Sequence, residues 1–249
     1  MMFNIGDKCR RNVLVSSDHG LMIVNRFDCN SEQVGHGQWI LDHGNTSTIE
    51  AQHCYAAVKS RARNPVIFDV GANIGTLTTW FANSFPTGKI HSFEPQRAVF
   101  QMLCGNVAIN NLYNVYTYNC GLGAQNETKT FEEPNYFSKD DFGTFSLVEN
   151  IVKQTTGESF TVDIYTLDSF CAKHNIPKVD LIKVDVEGMD LQVLMGAAHM
   201  LETCHPALFV EHCDNRRSII GPIQEFLDQF GYTYELIGNN VLATYYGPN

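Results

Sequence analysis

The sequence has little positive charge. Its 249 residues include 17 Lys and Arg against 27 Asp and Glu, giving a formal net charge of −10 and an isoelectric point near 5.3. A partner with a phosphate backbone requires a basic face on the protein. We therefore expect no nucleic-acid partner.

Long apolar runs and closely paired cysteines are also missing. A membrane-spanning helix needs about 18 consecutive apolar residues, and no stretch of the sequence approaches this length. Residues 1–10 contain no apolar segment typical of a secretory signal. The eight cysteines include no C-x-x-C pair, and several lie in apolar runs, as buried reduced cysteines do. These absences predict a cytoplasmic, thiol-reduced protein without membrane contact.

No internal repeat or low-complexity linker divides the chain. We expect an N-terminal extension over residues 1–62 and one larger domain over residues 63–249. The extension should contain short strands at residues 21–24 and 39–41. A helix should then run from Ser47 to about residue 63, because Ser47-Thr48-Ile49-Glu50 has the pattern of a capping box.

Beyond the extension, apolar runs of strand character alternate with helical patterns. Core strands are predicted at residues 66–70, 89–94, 115–119, 179–184 and 207–210, with helices at 96–110 and 191–201. Residues 121–157 are polar and irregular, a half-exposed strand follows at 160–164, and a hairpin surrounds Gly238-Asn239-Asn240. The alternation predicts an α/β fold with a doubly wound, mostly parallel sheet and an antiparallel edge.

A turn with two glycines follows the first core strand, as Asp69-Val70-Gly71-Ala72-Asn73-Ile74-Gly75. Gly71 allows the backbone to come close to a ligand, and Gly75 allows tight helix packing. Ligands of such sheets bind beyond the carboxyl ends of the strands, next to this turn. Glu94 ends the following strand, where its carboxylate can accept both ribose hydroxyls of an adenosine.

Other interpretations of the glycine turn compete with a nucleoside site. A plain tight connection between strand and helix has a similar sequence. An NAD site requires G-x-G-x-x-G, whereas Asn73 stands two residues after Gly71. The missing glycine and the presence of Asp69 favour a cationic nucleoside without phosphate. A nucleoside-binding module without transfer activity and, less favoured, an NAD-dependent oxidoreductase stay open as alternatives.

Several blocks of sequence stand in the order found in a known family: FDVGANIG at 68–75 with SFEP at 92–95, TLDS at 166–169, VDLIKVDVEG at 179–188 and PALFVE at 206–211. Over about residues 66–212 the chain resembles the FkbM-type methyltransferases, a branch of the class I S-adenosylmethionine enzymes. The resemblance implies a Rossmann-like fold with a seven-stranded sheet. It also implies an O-methyltransferase that transfers a methyl group to a hydroxyl of a sugar or small metabolite.

The resemblance implies roles for residues around the turn. Gly71, Asn73 and Gly75 would line the methionine part of S-adenosylmethionine, Glu94 its ribose, and the segment after the third strand its adenine. Gly143-Thr144-Phe145-Ser146 looks like a small polar cluster of the family. The predicted cofactor-binding residues are Asp69, Gly71, Asn73, Gly75, Glu94, Asn119, Cys120, Gly121, Ser146 and Asp185.

Acidic residues and a histidine end the fourth and fifth core strands. If these strands are neighbours, Asp185, Glu187, Glu211, His212 and Asp214 converge on the ligand crevice. Methyl transfer to a hydroxyl requires alignment of the reactants and removal of a proton. His212 is the natural base near neutral pH, with Asp185 as the second choice.

Two further hypotheses concern the role of Lys183 and the binding of a metal ion. A lysine inside an apolar strand requires an anionic partner, so Lys183 forms a structural ion pair or takes part in catalysis. Asp185 and Glu211 alternatively hold Mg²⁺, which would acidify the substrate hydroxyl. The predicted catalytic residues are thus Asp185, His212, Glu211 and Lys183. We expect the acceptor to be a glycan or small molecule, and we expect the extension to provide either substrate contacts or a subunit interface, as in a homo-oligomer.

Overall fold

The computed structural model describes residues 11–29, 35–45, 47–146, 154–214, 217–218 and 220–247. The N-terminal segment forms a hairpin and two helices: β1 (Asn12–Ser17), β2 (Gly20–Asn25), α1 (His36–His43) and α2 (Thr48–Lys59). The alternating part then begins with β3 (Val66–Val70), α3 (Thr76–Ser84), β4 (Lys89–Phe93), α4 (Arg97–Ile109) and β5 (Val115–Tyr118).

The middle of the chain forms a small sheet of its own. Its strands are β6 (Gly121–Leu122), β7 (Glu127–Pro134) and β8 (Thr155–Tyr165), with a 3-10 turn at Phe142–Thr144. The second half continues with α5 (Leu167–His174), β9 (Leu181–Val184), α6 (Asp190–Met195), α7 (Ala198–Cys204) and β10 (Ala207–Glu211). It closes with β11 (Cys213–Asp214), β12 (Arg217–Ser218), α8 (Ile220–Asp228), β13 (Tyr232–Ile237) and β14 (Asn240–Tyr245).

The central sheet has seven strands in the order β13-β14-β10-β9-β3-β4-β5. The strands from β10 to β5 are parallel, and β14 pairs antiparallel with both β10 and β13. The predicted doubly wound sheet with an antiparallel C-terminal hairpin is confirmed. The order reverses between β3 and β9, so the crevice at the carboxyl ends of these two strands is the expected ligand position.

Helices cover both faces of this sheet, which explains why β3 is apolar on both sides. On one face, Cys54 of α2 and Phe81 of α3 pack in one buried cluster with Phe209 of β10. On the other face, α5 to α8 contribute Phe170, Leu201 and other buried residues. The N-terminal segment thus shares its core with the rest of the chain, and the division at residues 62 and 63 stays a prediction.

A buried amide on α4 helps to hold the N-terminal hairpin beside the glycine turn. The Asn106 side chain, fully buried on α4, donates to the carbonyl oxygens of Ile23 and Ile74 at 3.2 and 2.7 Å. It also accepts a hydrogen bond from the Ile23 N–H. Because these partners lie in β2 and in the turn, the extension is fixed against the ligand side of the sheet.

Some local predictions in the extension were wrong. Residues 39–41 lie in α1 rather than a strand, because three consecutive apolar residues have no periodicity that separates the two. Ile40 is buried, whereas Trp39 is 43% exposed. Ser47 precedes α2 but has a left-handed φ of 56° and no capping hydrogen bond from its side chain, so no capping box forms.

Two predictions farther along the chain also differ from the structure. The helix expected at 191–201 divides into α6 and α7 around Gly196, where a Cβ atom would collide with the carbonyl oxygen of Gly123. The segment expected to be irregular contains β7, whose sequence ETKTFEEP includes a single large apolar residue, Phe131. No helix within the described ranges is long and apolar enough to cross a membrane.

Candidate functional site

The glycine turn after β3 has a backbone that few residue types can adopt. Gly71, Asn73 and Gly75 have positive φ angles of 74°, 51° and 89°. A Cβ atom at Gly71 would collide with the carbonyl oxygen of Asp185, which follows β9. Glycine is therefore required at Gly71 by a close contact between two strand ends, as well as by its conformation.

Lys183 links the strand ends at the point where the sheet order reverses. Its Nζ donates to the carbonyl oxygen of Gly71 at 2.9 Å and lies 3.5 Å from Asp69 Oδ1 and 3.4 Å from Asp185 Oδ2. Both Lys183 and Asp69 are buried. Burial lowers the pKa of Lys183, but Asp185 and Asp69 outweigh it and hold that pKa above its usual range.

Asp69 is held from the other side by a hydroxyl pair. Thr78 donates from its Oγ1 to Asp69 Oδ2 at 2.6 Å, and the same Oγ1 lies 2.8 Å from the Ser92 Oγ. A buried carboxylate requires such partners to remain charged. The structural ion pair predicted as one role of Lys183 is thus present.

Glu94 fixes the shape of the glycine turn with both of its carboxylate oxygens. Oε2 accepts from the Asn73 N–H at 3.0 Å, and Oε1 accepts from the Gln96 N–H at 2.8 Å. The side chain is 4% exposed. Burial raises the pKa of Glu94 to about 7, against the opposing effect of the two backbone hydrogen bonds.

Three carboxylates meet beside this turn, as the sequence predicted for neighbouring strands. Asp185, Glu187 and Glu211 each place one oxygen so that all three lie within 4.8 Å of one another. Burial, then Asp185 and Glu187, raise the pKa of Glu211. Burial would also raise the pKa of Asp185, but Lys183 keeps it low. The pKa values of the two neighbours are therefore shifted in opposite directions, upward for Glu211 and downward for Asp185.

The loop that presents these carboxylates is held by Asp190. Its carboxylate accepts hydrogen bonds from the N–H groups of Val186 and Gly188, both at 3.2 Å. Glu187 has a left-handed φ of 53°, which is uncommon for a residue with a side chain. Burial and the nearby Asp185 raise the pKa of Asp190 to about 7.

These residues border a cleft of about 830 Å³, including the part open to solvent, which we call the first cleft. The predicted site residues that line it are Asp69, Gly71, Asn73, Glu94, Cys120, Gly121, Lys183 and Asp185. The Asn119 amide instead donates to the carbonyl oxygens of Glu94 and Pro95. Ser146 donates to the carbonyl oxygen of Glu187 at 2.7 Å, and Gly75 approaches Leu103. Asn119, Ser146 and Gly75 thus support the walls of the cleft from behind.

A second cleft of about 1110 Å³, also counted with its open part, adjoins the first. It lies between the N-terminal segment and the turn of the C-terminal hairpin. Residues lining it include His36, Ser47, Glu50, Phe209, Glu211 and Asn239. His36, Ser47, Leu77, Lys183 and Asp185 line both clefts.

His212 lies outside the residues that line either cleft. It is buried, with its Nε2 3.3 Å from the carbonyl oxygen of Gly238, and its N–H donates to the Asn239 carbonyl oxygen. This position places it behind the hairpin turn, so the role of His212 as the base stays a prediction that the geometry does not favour. The side chain of Asp214 lies outside the described residues.

Sequence reasoning missed several residues that border the first cleft. Gln96 lines the cleft, is buried, and donates from its amide to the carbonyl oxygen of Phe142. The position of Gln96, directly after a strand-ending Glu-Pro, was a usable signal. His36 and Ser47 precede the alternating strands, and no local pattern connected them to the site.

Residues 69–234, more than half of the chain, match the family model described as the methyltransferase FkbM domain. Among curated proteins, the chain is 30% identical to methyltransferase sdnD of Sordaria araneosa, across 60% of this chain and 70% of that protein. It is 29% identical to methyltransferase 1 of Beauveria bassiana, across 60% of this chain and 65% of that protein.

Two further matches are a relative whose name states its methyl acceptor and a protein with a solved crystal structure. Hexuronic acid methyltransferase AglP of Haloferax volcanii is 30% identical across 55% of this chain and 52% of its own length. A crystal structure of methyltransferase FkbM from Methylobacillus flagellatus KT has a TM-score of 0.54 at 16% identity, covering 74% of this chain and 44% of that chain. This chain therefore spans less than half of that crystallised chain, and the likeness concerns the fold.

Replacing Lys183 by Met should destabilise the protein strongly. The substitution leaves Asp69 buried without its cation, which we expect to lower the free energy of unfolding by about 3–5 kcal/mol. Urea denaturation followed by circular dichroism measures the change, and Asp69→Asn added to Lys183→Met should recover part of it.

Lys129→Met is the matched control, because Lys129 pairs with Glu127 at 3.2 Å while the two side chains are 36% and 29% exposed. A surface pair of this kind contributes about 1 kcal/mol or less. Equal decreases in the free energy of unfolding of the two variants would show that the buried ion pair stabilises the protein no more than the surface pair does.

Proposed function

The chain belongs to the FkbM methyltransferase family, and from that premise we propose that it transfers a methyl group from S-adenosylmethionine to a hydroxyl of a sugar or small metabolite. The family confirms the resemblance inferred from the sequence and the prediction of a methyltransferase. It gives no support to the alternatives of an NAD-dependent oxidoreductase or a nucleoside-binding module without transfer activity.

The charge of the first cleft is the observation that supports the donor most directly. Among the described residues that line it, Asp69, Glu94, Asp185 and Glu187 are acidic, and Lys183 is the one Lys or Arg. Lys183 is already paired with two carboxylates. A pyrophosphate would meet uncompensated negative charge here, whereas a cationic sulfonium is attracted.

The contacts of Glu94 suit the ribose of the donor. Each carboxylate oxygen accepts one backbone hydrogen bond and has a further lone pair, and the residue lines the first cleft. A ribose diol can donate two parallel hydrogen bonds to such a carboxylate. Cys120 and Gly121, after β5, border the same cleft and provide an apolar surface for the adenine.

Support for an oxygen acceptor on a sugar comes from one relative. AglP is named for a hexuronic acid, a sugar that offers hydroxyl and carboxyl oxygens. The reaction requires in-line alignment of oxygen, methyl carbon and sulfur, together with loss of the hydroxyl proton. Asp185 lies on the boundary between the two clefts, where these atoms would meet.

Replacing Glu94 by Gln should weaken binding of S-adenosylhomocysteine, the product form of the donor, by about 10- to 100-fold. The amide loses the charge that strengthens the hydrogen bonds to the ribose. Isothermal titration calorimetry measures the dissociation constant, with the exposed Glu202→Gln as the control. Absence of binding by the unmodified chain, or undiminished binding after Asp69→Ala with Glu94→Ala, would contradict the donor assignment.

The affinity for S-adenosylhomocysteine should fall with acidification. Because the pKa of Glu94 is raised to about 7, its carboxylate becomes protonated as the pH drops below this value and accepts the ribose hydroxyls less well. We expect the dissociation constant to rise about tenfold from pH 8 to pH 6. The Glu94→Gln variant should lose most of this difference, whereas any contribution of Asp190, whose pKa is also raised to about 7, is the same in both proteins. A pH dependence as large in the variant as in the unmodified chain would contradict the assignment.

Transfer should not require a divalent metal. The carboxylates of Asp185, Glu187 and Glu211 offer oxygen ligands that suit Mg²⁺, but the Lys183 ammonium is 3.4 Å from Asp185 Oδ2 and would repel the ion. We expect full methyl transfer after dialysis against EDTA. Activity lost in EDTA and restored by Mg²⁺ would place the metal in the reaction.

A further inference from the structure

We propose that the second cleft binds an uncharged, polyhydroxylated acceptor whose reacting hydroxyl contacts His36. This inference rests on the proposed methyl transfer. It adds the place and chemical class of the acceptor and one residue that touches it.

The boundary between the two clefts defines where the reactants meet. The residues that line both clefts are His36, Ser47, Leu77, Lys183 and Asp185. A methyl donor in the first cleft can reach an acceptor in the second only past these side chains. A group that contacts the reacting oxygen must therefore come from this small set.

Within this set, His36 is the side chain available to accept a proton. Lys183 is an ammonium ion, and Asp185 is already paired with it at 3.4 Å. The His36 ring lines both clefts, and because its Nδ1 is buried without a hydrogen-bond partner among the described residues, Nε2 is the nitrogen that can meet the acceptor. Imidazole is the usual proton acceptor near neutral pH. The charged side chains that interact electrostatically with it are Asp28, Asp141 and Asp185.

The position of His36 is fixed by a buried carboxylate. Asp28 accepts a hydrogen bond from the Gly37 N–H at 2.7 Å and another from the Phe142 N–H at 3.0 Å. A Cβ atom at Gly35 would collide with the same carboxylate. The chain on both sides of His36 is thus packed tightly against Asp28, which holds the imidazole at the boundary.

The proton and electron pairs balance in a single displacement. An oxygen lone pair of the acceptor forms the new bond to the methyl carbon, and the hydroxyl proton passes to the His36 imidazole. The bond between that carbon and the sulfonium breaks, and its electron pair stays on the sulfur as a neutral thioether. The proton then leaves His36 to solvent.

The lining of the second cleft favours an acceptor without negative charge. Glu50 and Asp185 border it, and Lys183, its one Lys or Arg among the described residues, is shared with the buried Asp69. A carboxylate or phosphate on the acceptor would be repelled. Asn239 and Asn240 offer amide donors and acceptors for hydroxyl groups. The residues of both flanking segments, 36–50 and 237–240, lie outside the matched residues 69–234.

Matched sugars test the acceptor class. Formation of S-adenosylhomocysteine is measured with methyl glycosides of glucose, galactose and mannose and with the corresponding uronic acids. We expect kcat/KM for the neutral sugars to exceed that for the uronic acids at least about tenfold, and Glu50→Lys to reduce this ratio about tenfold. Equal use of both series, or a ratio that Glu50→Lys does not move, would overturn the uncharged class.

Two histidine variants test the contact. We expect His36→Gln to lower kcat about 100-fold while the dissociation constant for S-adenosylhomocysteine stays within about twofold, which also reports that the variant is folded. His43→Gln is the control, because His43 lies on the same helix, stacked on Trp39 and away from both clefts. Unchanged kcat in His36→Gln would overturn the role of His36. Two failures of the unmodified chain have different meanings. If it binds S-adenosylhomocysteine but methylates no sugar of either series, the proposal that the second cleft accepts sugars is overturned. If it does not bind S-adenosylhomocysteine, the proposed function itself is overturned.

Discussion

One buried ammonium group determines the arrangement of the ligand side of the sheet. Lys183 comes from β9, yet its contacts are the carbonyl oxygen of Gly71 and the carboxylates of Asp69 and Asp185. Removing a lysine from water is costly unless anions and hydrogen-bond acceptors surround it. The ends of β3 and β9 must therefore approach each other closely, and the glycine at Gly71 is what permits that approach.

The same ammonium sets the electrostatics of the neighbouring carboxylates. Lys183 holds the pKa of Asp185 below its usual range despite burial, whereas burial, followed by the nearby Asp185 and Glu187, raises the pKa of Glu211. The left-handed Glu187 and the hydrogen bonds that Asp190 accepts keep these groups together despite their repulsion. Local backbone strain of this kind is commonly found where a site requires a fixed geometry.

The sheet could be predicted from sequence because its strands are buried on both faces. In a chain of alternating elements, a continuous apolar run such as Val66–Val70 is typical of a parallel strand covered by helices on both sides. Because ligands of such sheets bind beyond the carboxyl ends of the strands, Asp185, Glu94 and the glycine turn could then be assigned to one crevice. The strand β7 was missed because its residues are mostly polar, and α1 was taken for a strand because Trp39, Ile40 and Leu41 are too few to show a period.

The site was predictable only where it depends on the sheet. His36 approaches the crevice through packing between Asp28, Gly37 and Phe142. Because Phe142 lies more than one hundred positions from the other two, no local pattern encodes these contacts. His212 was selected by its place at a strand end, but successive side chains of a strand alternate sides, and the imidazole lies behind the hairpin turn. The position of His212 at the end of a strand could be predicted from the sequence, but the direction of its side chain could not.

The second cleft takes most of its walls from two regions that are distant in sequence, around residues 36–50 and 237–240, while the first cleft is built mostly from the central part of the chain. Mutations accumulate independently in such separate regions. A lineage could therefore diverge in what it modifies by altering the two flanking segments while the machinery for the donor stays under unchanged selection. Homologous chains with nearly identical glycine turns would then be poor guides to one another's substrates.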